Sequence, residues 1–140
     1  MFATRYLLVV GRLMIGLPFV MSGLSKLGAF SATTEMISAV GLPSPPLAFA
    51  VPVATEFGGG LLLIAGYRAR YAAAALALFS LATAMSFHTN FADQNQMIHF
   101  LKNVIMAGGL LQIAAFGAGA LSIDNLRQTD DLGSSAAMSA

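Results

Sequence analysis

The stretch Leu47–Ala65, LAFAVPVATEFGGGLLLIA, is long and apolar enough to cross a bilayer, yet it carries a carboxylate, Glu56, near its middle. Two other long apolar stretches carry Arg12 and Lys102. A bare charge in hydrocarbon costs at least ~2.5 kcal/mol on the mildest scale, so such residues as a rule face a bundle interior and find partners there. The chain therefore reads as a small membrane protein with a buried ionic site.

Composition agrees. The 140 residues are 57% hydrophobic and 9% charged, whereas a soluble globular chain has ~25% charged residues. One compact domain fits this length. A net charge of +1 argues against nucleic-acid binding. The absence of cysteine removes disulfides, thiol redox chemistry, Cys-ligated clusters and Cys zinc sites, and says nothing about compartment. The first apolar run exceeds the ~7–15 residues of a signal-peptide core and is interrupted by Arg12, so a retained helix is expected in spite of the small-x-small triplet Ala29-Phe30-Ser31.

Four segments approach spanning length: Arg5 to Leu27, Pro46 to Gly66, Tyr71 to Phe87 and Ile98 to Leu121. The connection Gly28 to Pro45 is longer than a turn. Ser31 or Thr34 can cap a short helix there, with Glu35 near its first turn and Phe30, Met36, Ile37 and Val40 on an apolar side, stopped by Gly41 and Pro43. The expected fold is thus all-α: a four-transmembrane-helix bundle with a short interfacial helix between helices 1 and 2. Tyr67 to Arg70 forms a tight basic turn, and His88 to Met97 a polar loop holding Asp93. Residues 1–127 form one transmembrane domain, and 128–140 a flexible polar tail. No sequence repeat is clear. Arg5, Arg68, Arg70 and Arg127 share one side, which by the positive-inside rule faces the cytoplasm together with both termini.

Helical spacing aligns Arg5, Arg12, Gly16, Phe19, Gly23 and Lys26 in one stripe of the first span. Glycines beside cations on one stripe imply close helix approach. Pro52, Glu56 and Gly60 align in the second span, and Gly58-Gly59-Gly60 implies a closely packed neighbour or room for a flat ligand, the former being favoured. His99, Lys102, Met106 and Gly109 align in the fourth, with Asn103 adjacent. At a rise of ~1.5 Å per residue, Arg12 lies ~8 Å inside one boundary, Glu56 ~15 Å from either and Lys102 ~6 Å inside the other. These depths lead to the expectation that ionised Glu56 pairs with Arg12, with Lys102 reaching the same cavity; the bland alternative is an internal salt bridge that fixes helix register.

His88 and His99 both fall near the outer interface. They could ligate haem or, with Asp93, a metal, but the spacing matches no strong motif and no metal site is expected. Neither a phosphate-cradling loop nor a catalytic triad is supported: the three glycines lie within a span, and Ser22 and Ser25 have no evident base.

These residues resemble the DoxX family of membrane proteins. Arg12 and Ser22-Gly23-Leu24-Ser25-Lys26-Leu27 are similar to that family's first helix. Gly41-Leu42-Pro43 is similar to its break after the short outer helix, and Glu56-Phe57-Gly58-Gly59-Gly60 to its second-helix acidic block. Phe87-His88, Phe100-Leu101-Lys102-Asn103, Gly108-Gly109 and the closing Gly117 to Leu126, with Ser122-Ile123-Asp124, continue the match from about Arg5 to Leu126. The resemblance implies a multi-pass bacterial inner-membrane protein linked to redox complexes, quinone chemistry and oxidative stress. It places the recurring polar positions on Arg12, Lys26, Glu56, His88, Lys102 and Asn103. Any thiol-dependent role of relatives does not transfer to a chain without cysteine.

The expected function is a small subunit or partner of a redox complex that binds a quinone or similar small aromatic molecule. Lys102, His88 or Arg12 would donate to its carbonyl oxygens, and Glu56 would relay a proton. Phe19, Phe57, Phe87 and Met106 offer apolar walls. If the protein is an enzyme, it is a quinone-linked oxidoreductase subunit with Glu56 and Lys102 as catalytic groups. It has no intrinsic cofactor, so its electrons come from a partner or the substrate. A structural adaptor and a small proton-coupled transporter are the rivals. The lipid bilayer is the obligatory partner, and glycine-rich faces make a homo-oligomer plausible.

Overall fold

The computed structural model describes residues 2–39, 41 and 43–129. Val40, Leu42 and the tail from residue 130 onward lie outside the described residues, so the expected flexible tail over 128–140 falls almost wholly beyond them. In chain order the elements are α1 (Phe2–Gly28), α2 (Phe30–Ala39), α3 (Pro45–Val53), a π-helical turn (Ala54–Gly58), α4 (Gly59–Ala65), α5 (Ala69–Phe87) and α6 (Gln94–Phe116). A last helical stretch covers residues 123–129.

Four helical segments are long and apolar enough to cross a membrane: Thr4–Gly28, Pro46–Ala65, Ala69–Phe87 and Gln94–Phe116. The second comprises α3, the π-turn and α4. Large apolar side chains such as Met14, Leu78 and Ile105 stand exposed on the outside of the bundle, as lipid-facing residues do. The core is small and dense, formed by Phe19, Leu63, Leu76 and Leu110 with Ala73, Ala77 and Ala107. The alanines along α5 are short enough to bring α6 close against it.

From Arg12 to Lys26 the stripe on α1 faces inward as its spacing predicts, whereas Arg5 at its start is exposed. Arg12, Gly16, Phe19 and Gly23 are buried and Lys26 is half-buried. Glycine here serves close approach. A Cβ on Gly60 would lie 3.0 Å from the Gly16 carbonyl oxygen, and one on Gly23 would lie 2.8 Å from the Phe57 backbone nitrogen. Backbone therefore meets backbone between α1 and the second span. A Cβ on Gly59 would press on Leu76, whereas Gly58 faces open space, so packing explains two of the three consecutive glycines.

The short helix after the first span is present as α2. Ile37 is buried, and Phe30 packs edge-on against Phe49 with centroids 4.8 Å apart. Its entry differs from expectation. The chain is interrupted only at Ala29, whose carbonyl accepts from the Thr33 N–H at 3.0 Å. Ser31 and Thr34 thus lie inside the helix rather than capping it. The Thr34 hydroxyl donates back to the Phe30 and Ser31 carbonyls. The last span also sits earlier than expected. Asp93 accepts from the Asn95 N–H at 2.8 Å and starts α6 at Gln94. Gly117, with φ of 86°, ends it.

The closing segment ties the far end of the bundle together. The Asp124 carboxylate accepts from the backbone N–H groups of Arg68 (2.7 Å) and Ala69 (2.9 Å), satisfying the first donors of α5. The Asp124 N–H donates to the Gly66 carbonyl at 2.9 Å. Gly66 is left-handed (φ 67°), and a Cβ there would collide with the Arg12 guanidinium, so the turn after α4 requires glycine on two counts.

Candidate functional site

Glu56 lies in the π-helical turn that follows Pro52. Proline lacks the N–H that would continue the α-helical ladder, and insertions into that ladder are frequent at functional sites. Glu56 is 6% exposed. Its Oε2 accepts from Lys26 Nζ at 2.6 Å, and the same ammonium donates to the Ser22 hydroxyl at 2.9 Å. A cation on α1 and an anion on the second span are thus joined inside the bundle, with Ser22 one turn back from Lys26 holding the ammonium in place.

The expected Arg12–Glu56 pair is not formed. Arg12 is buried near the opposite end of α1 and donates through Nη2 to the Leu121 carbonyl, while its Nε and Nη1 have no hydrogen-bond partner among the described residues. The reason is geometric. Side chains on a helix tilt toward its N-terminus. The two spans run antiparallel, with Gly16 at Gly60 and Gly23 at Phe57, so Arg12 leans toward the Gly66 end and Glu56 toward the Pro46 end. The two diverge. Lys26 leans inward along the same rule and meets the carboxylate instead.

Beside the Lys26–Glu56 pair lies a cavity of about 330 Å³. Pro18, Phe19 and Ser22 from α1 border it, as do Thr83 and His88 from the third span and His99, Lys102, Asn103 and Met106 from α6. Lys26, Glu56, His88, Lys102 and Asn103 are therefore brought together, and Arg12 is not. Of the proposed apolar walls, Phe19 and Met106 line the cavity, while Phe57 and Phe87 do not.

The rings of His88 and His99 stack with centroids 5.0 Å apart and 21° between planes, and His88 Nδ1 is 3.0 Å from the Gln96 side-chain oxygen. Asn103 donates to the His99 carbonyl at 2.9 Å. Lys102 makes no hydrogen bond or ion pair among the described residues. No three acidic or histidine side chains gather around a metal-sized point among the described residues. The π-turn, the histidine stack and the parts played by Ser22 and Thr83 escape sequence reasoning. The Ser22/Lys26 spacing of one turn is the only one of these with a visible signal.

The arrangement is a half-apolar cavity with one neutralised ion pair on its wall and one ammonium to spare. It can receive a compact molecule with an oxygen acceptor. The DoxX family model matches residues 7–89. The chain is 37% identical over 120 residues to the inner membrane protein YqjF of Escherichia coli, covering 84% of this chain and 89% of that protein. It is 33% identical over 127 residues to the inner membrane protein YphA of the same organism, covering 87% and 91%. No solved structure matches the chain. Four membrane-length helices, the family match and two near full-length inner-membrane relatives make this chain a member of the DoxX family.

Proposed function

We propose that the cavity beside Glu56 binds a quinone or similar small aromatic carbonyl compound, and that the protein serves as the small membrane subunit of a redox complex. The observation that carries this reading is the unpaired Lys102 ammonium opening on the same cavity as the Lys26–Glu56 pair. A volume of about 330 Å³ lies at the small end of ligand pockets and suits one ring-sized head group. An attached lipid tail would leave between the spans. Phe19 and Met106 supply apolar contact, and Lys102 donates to a carbonyl oxygen. Reduction of a quinone requires protons as well as electrons. Glu56 and the His88–His99 pair are the groups placed to pass protons, and a partner enzyme supplies the electrons. The basic Arg68 end faces the cytoplasm in this reading, which puts the Glu56 cavity toward the outer half of the membrane.

One observation favours a structural reading. The Lys26–Glu56 contact joins two spans at 2.6 Å and would fix their register without any ligand. The two are separated by purifying the full chain in mild detergent and extracting its bound lipids. A stoichiometric quinone or aromatic carbonyl compound, lost on Lys102→Gln with thermal stability unchanged, is the result expected. A ligand-free preparation whose fold collapses on Glu56→Gln would leave the adaptor reading in its place.

A further inference from the structure

A second cavity, of about 600 Å³, lies at the opposite end of the spans from Glu56. It is bordered by the turn into α5, the end of α6 and the helical stretch 123–129. Its charged side chains are Arg68, Arg70 and Asp124. Asp124 keeps its negative charge while both its oxygens accept backbone N–H groups at the start of α5, so the two arginines leave one net positive charge in this cavity. Arg70 has no hydrogen-bond or ion-pair partner among the described residues. Its guanidinium lies against the bare backbone of Gly117, where a Cβ would come within 3.2 Å of Nε. Asn125 and Gln128, whose side chains carry amide donors, border the same space.

The position of this cavity says what it meets. It sits where α5 begins and α6 ends, at the level where apolar spans give way to polar chain. Tyr71 and Phe116 flank it, 78% and 79% exposed, as aromatic residues do at the boundary between acyl chains and headgroups. Basic pockets at such a level match lipid phosphates, and the planar fork of arginine fits phosphate oxygens in pairs.

We propose that this cavity is a binding site for a phosphate ester, held between Arg68 and Arg70 with Asn125 and Gln128 donating to its neighbouring oxygens. An anionic lipid headgroup and a soluble phosphate share this chemistry. The site is independent of the Glu56 cavity and requires no quinone and no redox partner.

The test uses the full chain in bilayers that contain spin-labelled phosphatidylglycerol or spin-labelled phosphatidylcholine. The wild type is expected to immobilise phosphatidylglycerol selectively, and Arg68→Gln/Arg70→Gln to weaken that preference about tenfold, the loss that follows from removing charge-assisted hydrogen bonds. Arg70→Lys keeps the charge without the fork and is expected to fall between the two; it and Arg70→Gln decide the matter if the double variant unfolds. Inorganic phosphate added at millimolar concentration distinguishes the sources. Displacement of the lipid assigns the site to a soluble phosphate, and retention assigns it to the headgroup. Equal immobilisation of the two lipids by a wild type that also shows no saturable binding of inorganic phosphate, or a preference unchanged in folded Arg70→Gln and Arg70→Lys proteins, would overturn the proposal.

Discussion

Replacing Lys26 with methionine removes the ammonium and keeps most of the apolar stem, leaving Glu56 enclosed without its cation. The magnitude follows from burial. The Glu56 side chain is 8% exposed and the Lys26 side chain 26%. Breaking a fully buried pair costs ~3–5 kcal/mol, whereas an exposed pair is worth ~0–1 kcal/mol. A pair with one buried and one partly exposed member falls between, at about 2–3 kcal/mol for Lys26→Met. The converse change is milder. With Glu56→Leu the lysine can swing its head outward along a flexible stem, and the loss is about 1 kcal/mol. The double variant leaves no stranded charge, so it should be more stable than Lys26→Met alone, with a coupling of ~1–3 kcal/mol. Detergent-induced unfolding followed by far-ultraviolet circular dichroism measures all four proteins. Strictly additive losses, which mean that the two charges do not interact, or a Glu56→Leu protein less stable than Lys26→Met, which means that the carboxylate is not the enclosed partner, would refute the reasoning.

Two further outcomes follow from the same geometry. Gly60→Ala and Gly23→Ala force a methyl group into the facing backbone and should each cost ~1–3 kcal/mol, whereas Gly108→Ala, which meets nothing within 4 Å, should be neutral or slightly stabilising by the same unfolding assay. At the far end, Arg127 donates to the Tyr67 phenol oxygen at 3.2 Å, and with Arg68 it holds the phenol below its ordinary range. Ultraviolet titration should show one tyrosine ionising early, returned toward ordinary behaviour by Arg127→Gln. A group with a depressed folded value contributes stability above its unfolded pKa of ~10, and that contribution fades as pH falls through the folded value.

The four spans were legible in the sequence because each is an apolar run of membrane length, and the inward face of α1 because glycines and cations repeat at helical spacing. Charges set in apolar spans singled out Arg12, Glu56 and Lys102, whereas Lys26, His88 and Asn103, which border the same cavity as Glu56 and Lys102, were grouped with them only by the resemblance to the DoxX family. Depth counting misplaced Arg12. It located Cα atoms and ignored the tilt of side chains toward each helix N-terminus, which carries Arg12 and Glu56 apart and Lys26 and Glu56 together. Pro52, directly ahead of the π-turn at Ala54–Gly58, is a local sign of an interrupted ladder, but a proline alone does not specify a π-turn rather than a kink. The role of Asp124 as the cap of α5 was equally hidden, since 55 residues separate donor and acceptor at Ala69. Early capping by Asp93, by contrast, could have been read from its place just ahead of α6.

The central claim is that the Lys102 ammonium and the Lys26–Glu56 pair together form a seat for a ring-sized carbonyl compound. Calorimetric titration of the detergent-solubilised full chain with a short-tailed quinone tests it most directly. Saturable binding at one quinone per chain, weakened about tenfold in a Lys102→Gln protein of unchanged stability, is the predicted result. No saturable heat with the wild type, or the same affinity in both proteins, would contradict the account.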